Sequence, residues 1–315
     1  REACAVWLRR RFGVEMDPET EILPVMGSKE GIAHLALAVL DPGALAFVPE
    51  PGYPVYEMGA LLAGARPYFL PLSADMGFLP DFEAIPGEAL SRGRLLWLNY
   101  PNNPTGAVAD REFFEGAVEF CRRHDLLLAH DNAYSEITYD GFVAPSALEA
   151  SGAADVCIEF HSLSKTFNMS GWRIGFVCGN AAAIKALGTV KTNIDSGVFN
   201  PVQLAAVEAL ERCAEDVAVM VETYARRRDL LIGGLGRLGW DATPPRGAIY
   251  IWLPVPEGFD SVSFSTHVLD RAGVFFTPGN AYGPSGEGYV RLSLTVPDER
   301  IASAVERLEG VFRVA

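Results

Sequence analysis

Six short apolar runs, each bounded by glycine, proline, asparagine or aspartate, constrain the fold of this chain more than any other feature. They read EILPVMG, ALAFVPEP, RLLWLNYP, LLLAHD, VCIEFHS and RIGFVCG. Several are apolar on both faces, which is typical of strands in a parallel sheet covered by helices. Helical patterns at 30–40, 53–63 and 110–124 lie between them. This alternation predicts an α/β fold with a mostly parallel central sheet flanked by helices.

The pattern of predicted helices and strands changes after Pro201. A long, mostly helical stretch is followed by AIYIWLPV, VFFTP and YVRLSL, and a final helix starts at Asp298. The 315 residues exceed the usual span of one domain. We therefore predict a large domain over 1–222 and a smaller C-terminal α+β domain over 223–315. The sequence begins directly in a helical pattern with no cap before it, so we expect an upstream arm to be absent.

Composition narrows the classes of partner. The net charge is -14 and the isoelectric point about 4.8, which argues against a nucleic-acid partner. No apolar run reaches the roughly 20 residues of a membrane helix, and no signal peptide is apparent. The five cysteines lack metal-ligand spacing. We expect a cytoplasmic protein that binds neither metal, membrane nor nucleic acid.

One lysine stands out in this acidic chain. Lys165 lies in FHSLSKTFNMSGWRIGF, an otherwise apolar stretch that also holds Ser162, Ser164 and Arg173. A charged side chain is rarely buried without a partner or a task. Lysine must be neutral to attack a carbonyl, whereas an ordinary lysine is protonated at neutral pH. The two serines and the arginine could share an anion next to it.

Polar residues also follow the other predicted strands. Gly27, Ser28 and Lys29 open a helix, where backbone N–H groups can bind an anion, although this motif alone favours a plain Gly-Ser helix cap. Asp131 ends a very apolar strand, either as a helix cap or as a buried anion, and Tyr134 is three residues further on. Ligands of α/β sheets bind at these strand ends. A phosphorylated cofactor that condenses with an amine fits this set.

The motifs around these residues resemble a known family. SLSKTFNMSGWRIG, NNPTG, PGYP, DNAY and GSKEG are similar to motifs of fold-type I, pyridoxal 5′-phosphate (PLP)-dependent aminotransferases of class I/II. The resemblance extends over essentially the whole chain. It implies an enzyme that transfers an amino group from an amino acid to a 2-oxo acid, and a homodimer.

The resemblance also implies roles for single residues. Lys165 would bind the cofactor through its amine and then move the α-proton of the substrate. Asp131 would pair with the pyridine nitrogen of the cofactor. Tyr134 and Asn103 would donate hydrogen bonds to the phenolic oxygen of the cofactor. Arg291, in YVRLSL, would hold the substrate α-carboxylate, with Asn103 beside it.

The other implied residues hold the ring face or the phosphate. Tyr53, in PEPGYPVY, would stack on the ring. The candidates around the phosphate are Gly27, Ser28, Lys29, Ser162, Ser164 and Arg173, with Lys29 contributing through its side chain or its backbone N–H alone.

The substrate is less constrained than the cofactor. The stretch EFHSLSKTFNMSGWRIG is similar to LL-diaminopimelate aminotransferases of lysine biosynthesis, which use 2-oxoglutarate as acceptor. Aspartate, alanine and aromatic aminotransferases share the cofactor residues, and a PLP-dependent C–S lyase would use the same lysine, aspartate and arginine. A regulatory domain of the same fold is a further alternative. The absence of a basic DNA-binding segment speaks against it.

Overall fold

The computed structural model describes residues 1–312. The strands are β1 Ile22–Val25, β2 Leu45–Glu50, β3 Arg66–Pro71, β4 Gly93–Leu98, β5 Leu127–Asp131, β6 Cys157–Ser162, β7 Gly175–Gly179, β8 Tyr250–Pro254, β9 Thr277–Pro278 and β10 Tyr289–Ser293. The helices are α1 Glu2–Phe12, α2 Ser28–Val39, α3 Val55–Leu62, α4 Gly87–Arg92, α5 Arg111–His124, α6 Ala153–Val156, α7 Leu163–Thr166, α8 Ala181–Ile194, α9 Asn200–Arg212, α10 Ala214–Arg237, α11 Ser261–Ala272 and α12 Asp298–Phe312.

The central sheet has seven strands in the order β1-β7-β6-β5-β4-β2-β3. Strands β2 to β6 are parallel to one another, whereas β7 is antiparallel to both β6 and β1. The predicted α/β class and its mostly parallel sheet are thereby confirmed. The single reversed strand was not predicted, because RIGFVCG has the same apolar pattern as its parallel neighbours.

Helices cover both faces of this sheet, as the fully apolar strands require. One buried cluster includes Trp7, Phe114 and Leu128, and a second on the other face includes Trp97, Phe160 and Ile32. The predicted helices at 30–40 and 110–124 match α2 and α5, and Asp110 caps α5 by accepting a hydrogen bond from the Phe113 N–H. The helix predicted over 53–63 is shorter, because Pro54 precedes its first residue.

A smaller three-stranded antiparallel sheet, in the order β8-β10-β9, forms the C-terminal part. Helices α10, α11 and α12 pack against it around Leu235, Val268 and Leu308. The division of the chain at residue 222 falls inside α10, a continuous helix of 24 residues. That domain boundary stays a prediction. Among the described residues, no helix is long and apolar enough to cross a membrane.

Candidate active site

The predicted site residues converge at one edge of the central sheet. Strands β1, β4, β5 and β6 all end there, and the antiparallel strand β7 starts there. The reversed direction of β7 brings Arg173, just before the strand, to the edge where the other strands end. This edge therefore collects side chains from five strands, as expected for ligand sites of α/β sheets.

Gly27 and Ser28 form a concave turn between β1 and α2. Gly27 has a φ of 82°, which favours glycine, and a Cβ atom there would collide with the Arg173 guanidinium. Arg173 donates a hydrogen bond from Nη2 to the carbonyl of Met26 at 3.1 Å. A Cβ on Gly175 would lie 3.1 Å from the Ser28 nitrogen. The turn thus places the N-terminus of α2 and a cation side by side, which suits an anion.

Lys165 lies in the short helix α7, directly after β6. Ser162 pairs with Gly175 across the β6–β7 ladder, so it lies beside the turn at Ser28. The Ser164 hydroxyl is buried and has no hydrogen-bond partner among the described residues. Lys165 is partly exposed, and its ammonium nitrogen lies 5.8 Å from the centre of the Tyr134 ring. The lysine is therefore reachable from the open edge of the sheet.

Asp131 is the last residue of β5, and its carboxylate is only half satisfied. Oδ2 accepts a hydrogen bond from the Tyr56 hydroxyl at 2.8 Å, whereas Oδ1 is buried without a partner among residues 1–312. Burial raises the pKa of this carboxyl above its ordinary value, against the opposing hydrogen bond from Tyr56. The side chain caps no helix, since only turns follow it. A buried oxygen of this kind calls for a donor from a ligand.

A chain of contacts runs from Tyr134 to Asn103 through the C-terminal sheet. The hydroxyls of Tyr134 and Tyr250 are 3.1 Å apart, and burial raises the pKa of Tyr134 well above its ordinary value. The Arg291 guanidinium lies 3.9 Å from the Tyr250 ring centre and 4.8 Å from that of Tyr282. Its Nη1 donates to Asn103 Oδ1 at 2.8 Å, and its Nε is buried without a partner among the described residues.

Comparisons with known proteins agree with this geometry. The sequence model of the family "Aminotransferase class I and II" matches residues 1–308. The chain belongs to the class I and II aminotransferases. It is similar to LL-diaminopimelate aminotransferase from Moorella thermoacetica, with 53% identity over 99% of this chain and 80% of that protein.

Solved structures show the same fold. Apo-BacF from Bacillus subtilis has a TM-score of 0.95 and 39% identity over 98% of this chain and 83% of its own. A probable N-succinyldiaminopimelate aminotransferase from Thermus thermophilus has a TM-score of 0.92 and 39% identity over the same shares. This aminotransferase is therefore a PLP-dependent enzyme of fold type I, and its substrates are an amino donor and a 2-oxo acid.

The residues of the aminotransferase fit PLP. The unpartnered Oδ1 of Asp131 matches a protonated pyridine nitrogen, and the turn at Gly27 and Arg173 matches a phosphate. Tyr53 contacts the Tyr56 ring edge-on at 5.8 Å, and burial together with the charge of Asp131 raises the pKa of its phenol. Lys29 is exposed and lies 5.6 Å from the Tyr53 ring centre. The structure thus brings the predicted cofactor residues to the same edge of the central sheet, and Arg291 reaches it from β10 through its bond to Asn103.

Three residues of the aminotransferase site escaped the sequence analysis. Tyr56 contacts Asp131, and Tyr250 contacts Tyr134. Asn99 donates to the Asp131 carbonyl at 2.7 Å and accepts from the Asn103 N–H at 2.8 Å. Tyr56 and Asn99 each lie within four residues of a predicted site residue, which was the only signal for them. Tyr250 had none beyond its place in a strand.

A second polar cluster of the aminotransferase lies between α2 and α8. Glu30, His34 and Asp195 offer oxygen and nitrogen atoms within 4.8 Å of one another. Lys191 donates to Asp195 at 2.8 Å and to Glu30 at 3.3 Å, so a side-chain cation already balances the carboxylates. We interpret the cluster as an ion-pair network and assign no metal to it.

Proposed function

We propose that this chain is an LL-diaminopimelate aminotransferase that uses 2-oxoglutarate as amino acceptor. The observation that carries the substrate is the similarity to enzymes of that name, 53% and 54% identical over 99% and 98% of this chain. The structural neighbours, which are less identical, include proteins described as aspartate and aromatic aminotransferases. The fold and the cofactor residues are thus compatible with several donors, and the sequence similarity selects among them.

In this proposal the strand-end residues hold the cofactor. Asp131 Oδ1 accepts a hydrogen bond from the pyridine nitrogen, and Tyr53 covers the ring. Ser28, Ser162 and Arg173 hold the phosphate, helped by the N–H groups at Gly27 and Lys29 and by the Ser164 hydroxyl. Tyr134 and Asn103 donate to the phenolic oxygen. Bound PLP supplies an electron sink for the negative charge that develops at the substrate α-carbon.

Two basic residues, Arg291 and Lys165, act on the substrate. Arg291 binds the α-carboxylate with the guanidinium edge that Asn103 leaves free, including the unpartnered Nε. The rings of Tyr250 and Tyr282 lie against the guanidinium and hold it in place. Lys165 Nζ, once neutral, takes the proton from the α-carbon and later returns it.

The test of the substrate is a comparison of donors with 2-oxoglutarate. We expect kcat/KM for LL-diaminopimelate to exceed that for aspartate and alanine by at least about a hundredfold, on the order of 3 kcal/mol. A site built to bond the far ammonium and carboxylate rejects shorter donors, because its polar groups are left unpaired. N-succinyl-LL-diaminopimelate, which lacks the free far ammonium, is the matched control. Equal turnover of aspartate or alanine contradicts the proposed substrate and leaves the aminotransferase class standing.

We also propose that the enzyme works as a cytoplasmic homodimer. The edge strand β3 and the neighbouring helix α3 expose a row of apolar side chains, namely Met58, Leu61, Leu62 and Phe69. Apolar rows of this kind are frequent in subunit interfaces. Sedimentation should show a dimer, and Leu62→Glu should weaken it. A fully active monomer contradicts this part of the proposal.

A further inference from the structure

Tyr56 contacts Asp131 from a fixed position under the sheet edge. It lies on α3, three residues after Tyr53, and is 1% exposed. Its hydroxyl donates to Asp131 Oδ2 at 2.8 Å. Within residues 1–312, no other side chain donates a hydrogen bond to this carboxylate. Tyr56 therefore decides which of the two carboxylate oxygens stays available.

We propose that Tyr56 is a positioning residue for transamination, which holds Asp131 in its charged form with Oδ1 as the single free acceptor for the cofactor. The inference rests on the proposed role of Asp131 as the partner of the pyridine nitrogen. Tyr56 itself touches neither substrate nor cofactor in this account. It acts through the carboxylate.

The surroundings of Tyr56 suit this task because they leave its ring little freedom. The ring stacks on Trp97 at a centroid distance of 4.9 Å and an interplanar angle of 19°. Tyr53 contacts it edge-on at 5.8 Å. Asn99 holds the backbone carbonyl of Asp131 at 2.7 Å from the other side. The aspartate is thus fixed at its backbone by one residue and at its side chain by another.

The electrostatic surroundings of this hydrogen bond determine which group is the donor and how the bond affects the charge of Asp131. Burial raises the pKa of Asp131, and the bond from Tyr56 is the strongest opposing influence, ahead of the charge of His130, the backbone N–H of Ala133 and the charge of His161. Burial also raises the pKa of Tyr56 well above its ordinary value, so the phenol stays protonated and remains a donor. The phenols of Tyr53 and Tyr134 also face the carboxylate, and both have raised pKa values.

Loss of the Tyr56 hydroxyl should therefore raise the pKa of Asp131. A carboxylate that accepts one hydrogen bond fewer is more basic. The proton shared between Asp131 and the pyridine nitrogen would then move toward Asp131. A ring nitrogen without its proton draws electrons less strongly from the substrate α-carbon.

Tyr56→Phe tests the inference, because it keeps the ring stacked on Trp97 and removes only the hydroxyl. Tyr139→Phe is the matched control, since it removes a hydroxyl of similar burial that donates to the Ala248 carbonyl at 2.7 Å and makes no hydrogen bond to Asp131. The holoenzymes are loaded with ¹⁵N-labelled PLP. We measure four quantities: the ¹⁵N resonance of the ring nitrogen, the PLP dissociation constant, kcat and KM.

For Tyr56→Phe we expect the ¹⁵N resonance to move toward that of unprotonated pyridine. We expect kcat to fall about tenfold, with KM and PLP affinity nearly unchanged, as for loss of one hydrogen bond to a charged group. Tyr139→Phe should match the wild type in all four quantities. A wild-type resonance and kcat in Tyr56→Phe would overturn the inference, as would an equal loss in Tyr139→Phe.

Asp131→Asn separates this inference from the proposed function. If Asp131→Asn is severely impaired while Tyr56→Phe is normal, Asp131 keeps its role and only the role of Tyr56 is lost. If Asp131→Asn has wild-type kcat and an unchanged ¹⁵N resonance, the proposed partner of the ring nitrogen is wrong, and the role of Tyr56 is overturned with it.

Discussion

Two buried carboxylates on neighbouring strands of the central sheet have opposite surroundings. Asp131 at the end of β5 has one oxygen without a partner, and its pKa is raised by burial. Glu159 in β6 points to the other face of the sheet, where His130, His161, Ser146 and the Ala147 N–H contact its oxygens at 2.8–2.9 Å. Burial alone would raise the pKa of Glu159, but the bonds from the histidines outweigh it and lower the pKa.

The difference indicates which of the two buried acids can still bind a ligand. Glu159 is 0% exposed and fully satisfied, so its bonds fasten β6 to β5 and to the segment around Ser146. A completed network of this kind stabilises a fold and has no capacity left for a ligand. Asp131 is nearly as buried, but one of its carboxylate oxygens has no hydrogen-bond partner among the described residues. Substitutions on the two sides of the sheet should therefore separate loss of activity from loss of stability.

The largest effect is expected at the strand edge, from Lys165→Ala. The variant removes the amine that we propose binds the cofactor and moves the α-proton, so transamination should fall by more than about 10⁴-fold. In the cofactor-free protein the free energy of unfolding should stay within about 0.5 kcal/mol of the wild type, since the side chain is partly exposed. Coupled-assay kinetics and urea denaturation measure both. Normal transamination in this variant would contradict the central assignment.

Asp131→Asn should cause the next largest loss of activity. The amide cannot balance a protonated pyridine nitrogen, and loss of such a charge-stabilising group costs about 2.7–4 kcal/mol in the activation free energy, roughly 10²–10³-fold in kcat. The visible spectrum should still show bound cofactor. In the cofactor-free protein the same variant should unfold at higher urea than the wild type, because a buried and half-satisfied charge is gone. An unchanged kcat would make Asp131 a structural residue like Glu159.

Glu159→Gln should show the reverse pattern. The amide keeps the shape but loses charge-assisted bonds to His130 and His161, which costs about 1.5–3 kcal/mol of unfolding free energy. At a temperature where the variant stays folded, kcat should lie within about threefold of the wild type. Urea denaturation followed by circular dichroism, with kinetics on the same sample, checks both. A large loss of kcat in a stably folded variant would remove the contrast between the two acids.

The pH dependence of stability gives the smallest but most specific effect. The pKa of Glu159 is lower in the folded protein than its ordinary value of about 4.3. Its stabilising contribution is therefore complete above about pH 4.3 and is lost as the pH falls through the folded-state pKa. The difference in unfolding free energy between wild type and Glu159→Gln should shrink as the pH falls below about 4. A difference independent of pH would show that Glu159 acts by packing alone.

The sequence was sufficient for the parts of the site that depend on local order. Strand ends, the turn after β1 and the lysine after β6 follow from short motifs, because consecutive residues stay together in any fold. The partners of Asp131 did not follow from its neighbours. Tyr56 reaches it across 75 residues, and this pairing depends on how α3 packs relative to the end of β5. The strand order of the sheet decides that placement.

The network at Glu159 was missed for a different reason. The run VCIEFHS was interpreted as an apolar strand, although Glu159 and His161 alternate within it and so share one face. His130 in LLLAHD is the third member. Three ionisable residues in two strongly apolar strands were a signal that their charges pair with one another, since unpaired charges are rarely buried. The reversed direction of β7 had no such signal, because a short strand of either direction has the same pattern.

The hydrogen bond between Arg291 and Asn103 has a consequence for the choice of donor. In the proposed function every α-amino acid presents the same carboxylate to the free edge of Arg291, while Nη1 keeps its 2.8 Å bond to Asn103. The free energy of this contact is common to all donors, so it cancels from any ratio of kcat/KM values. Changes at Arg291 should therefore slow every donor by the same factor. Discrimination between donors must come from groups that contact the donor beyond its α-carbon.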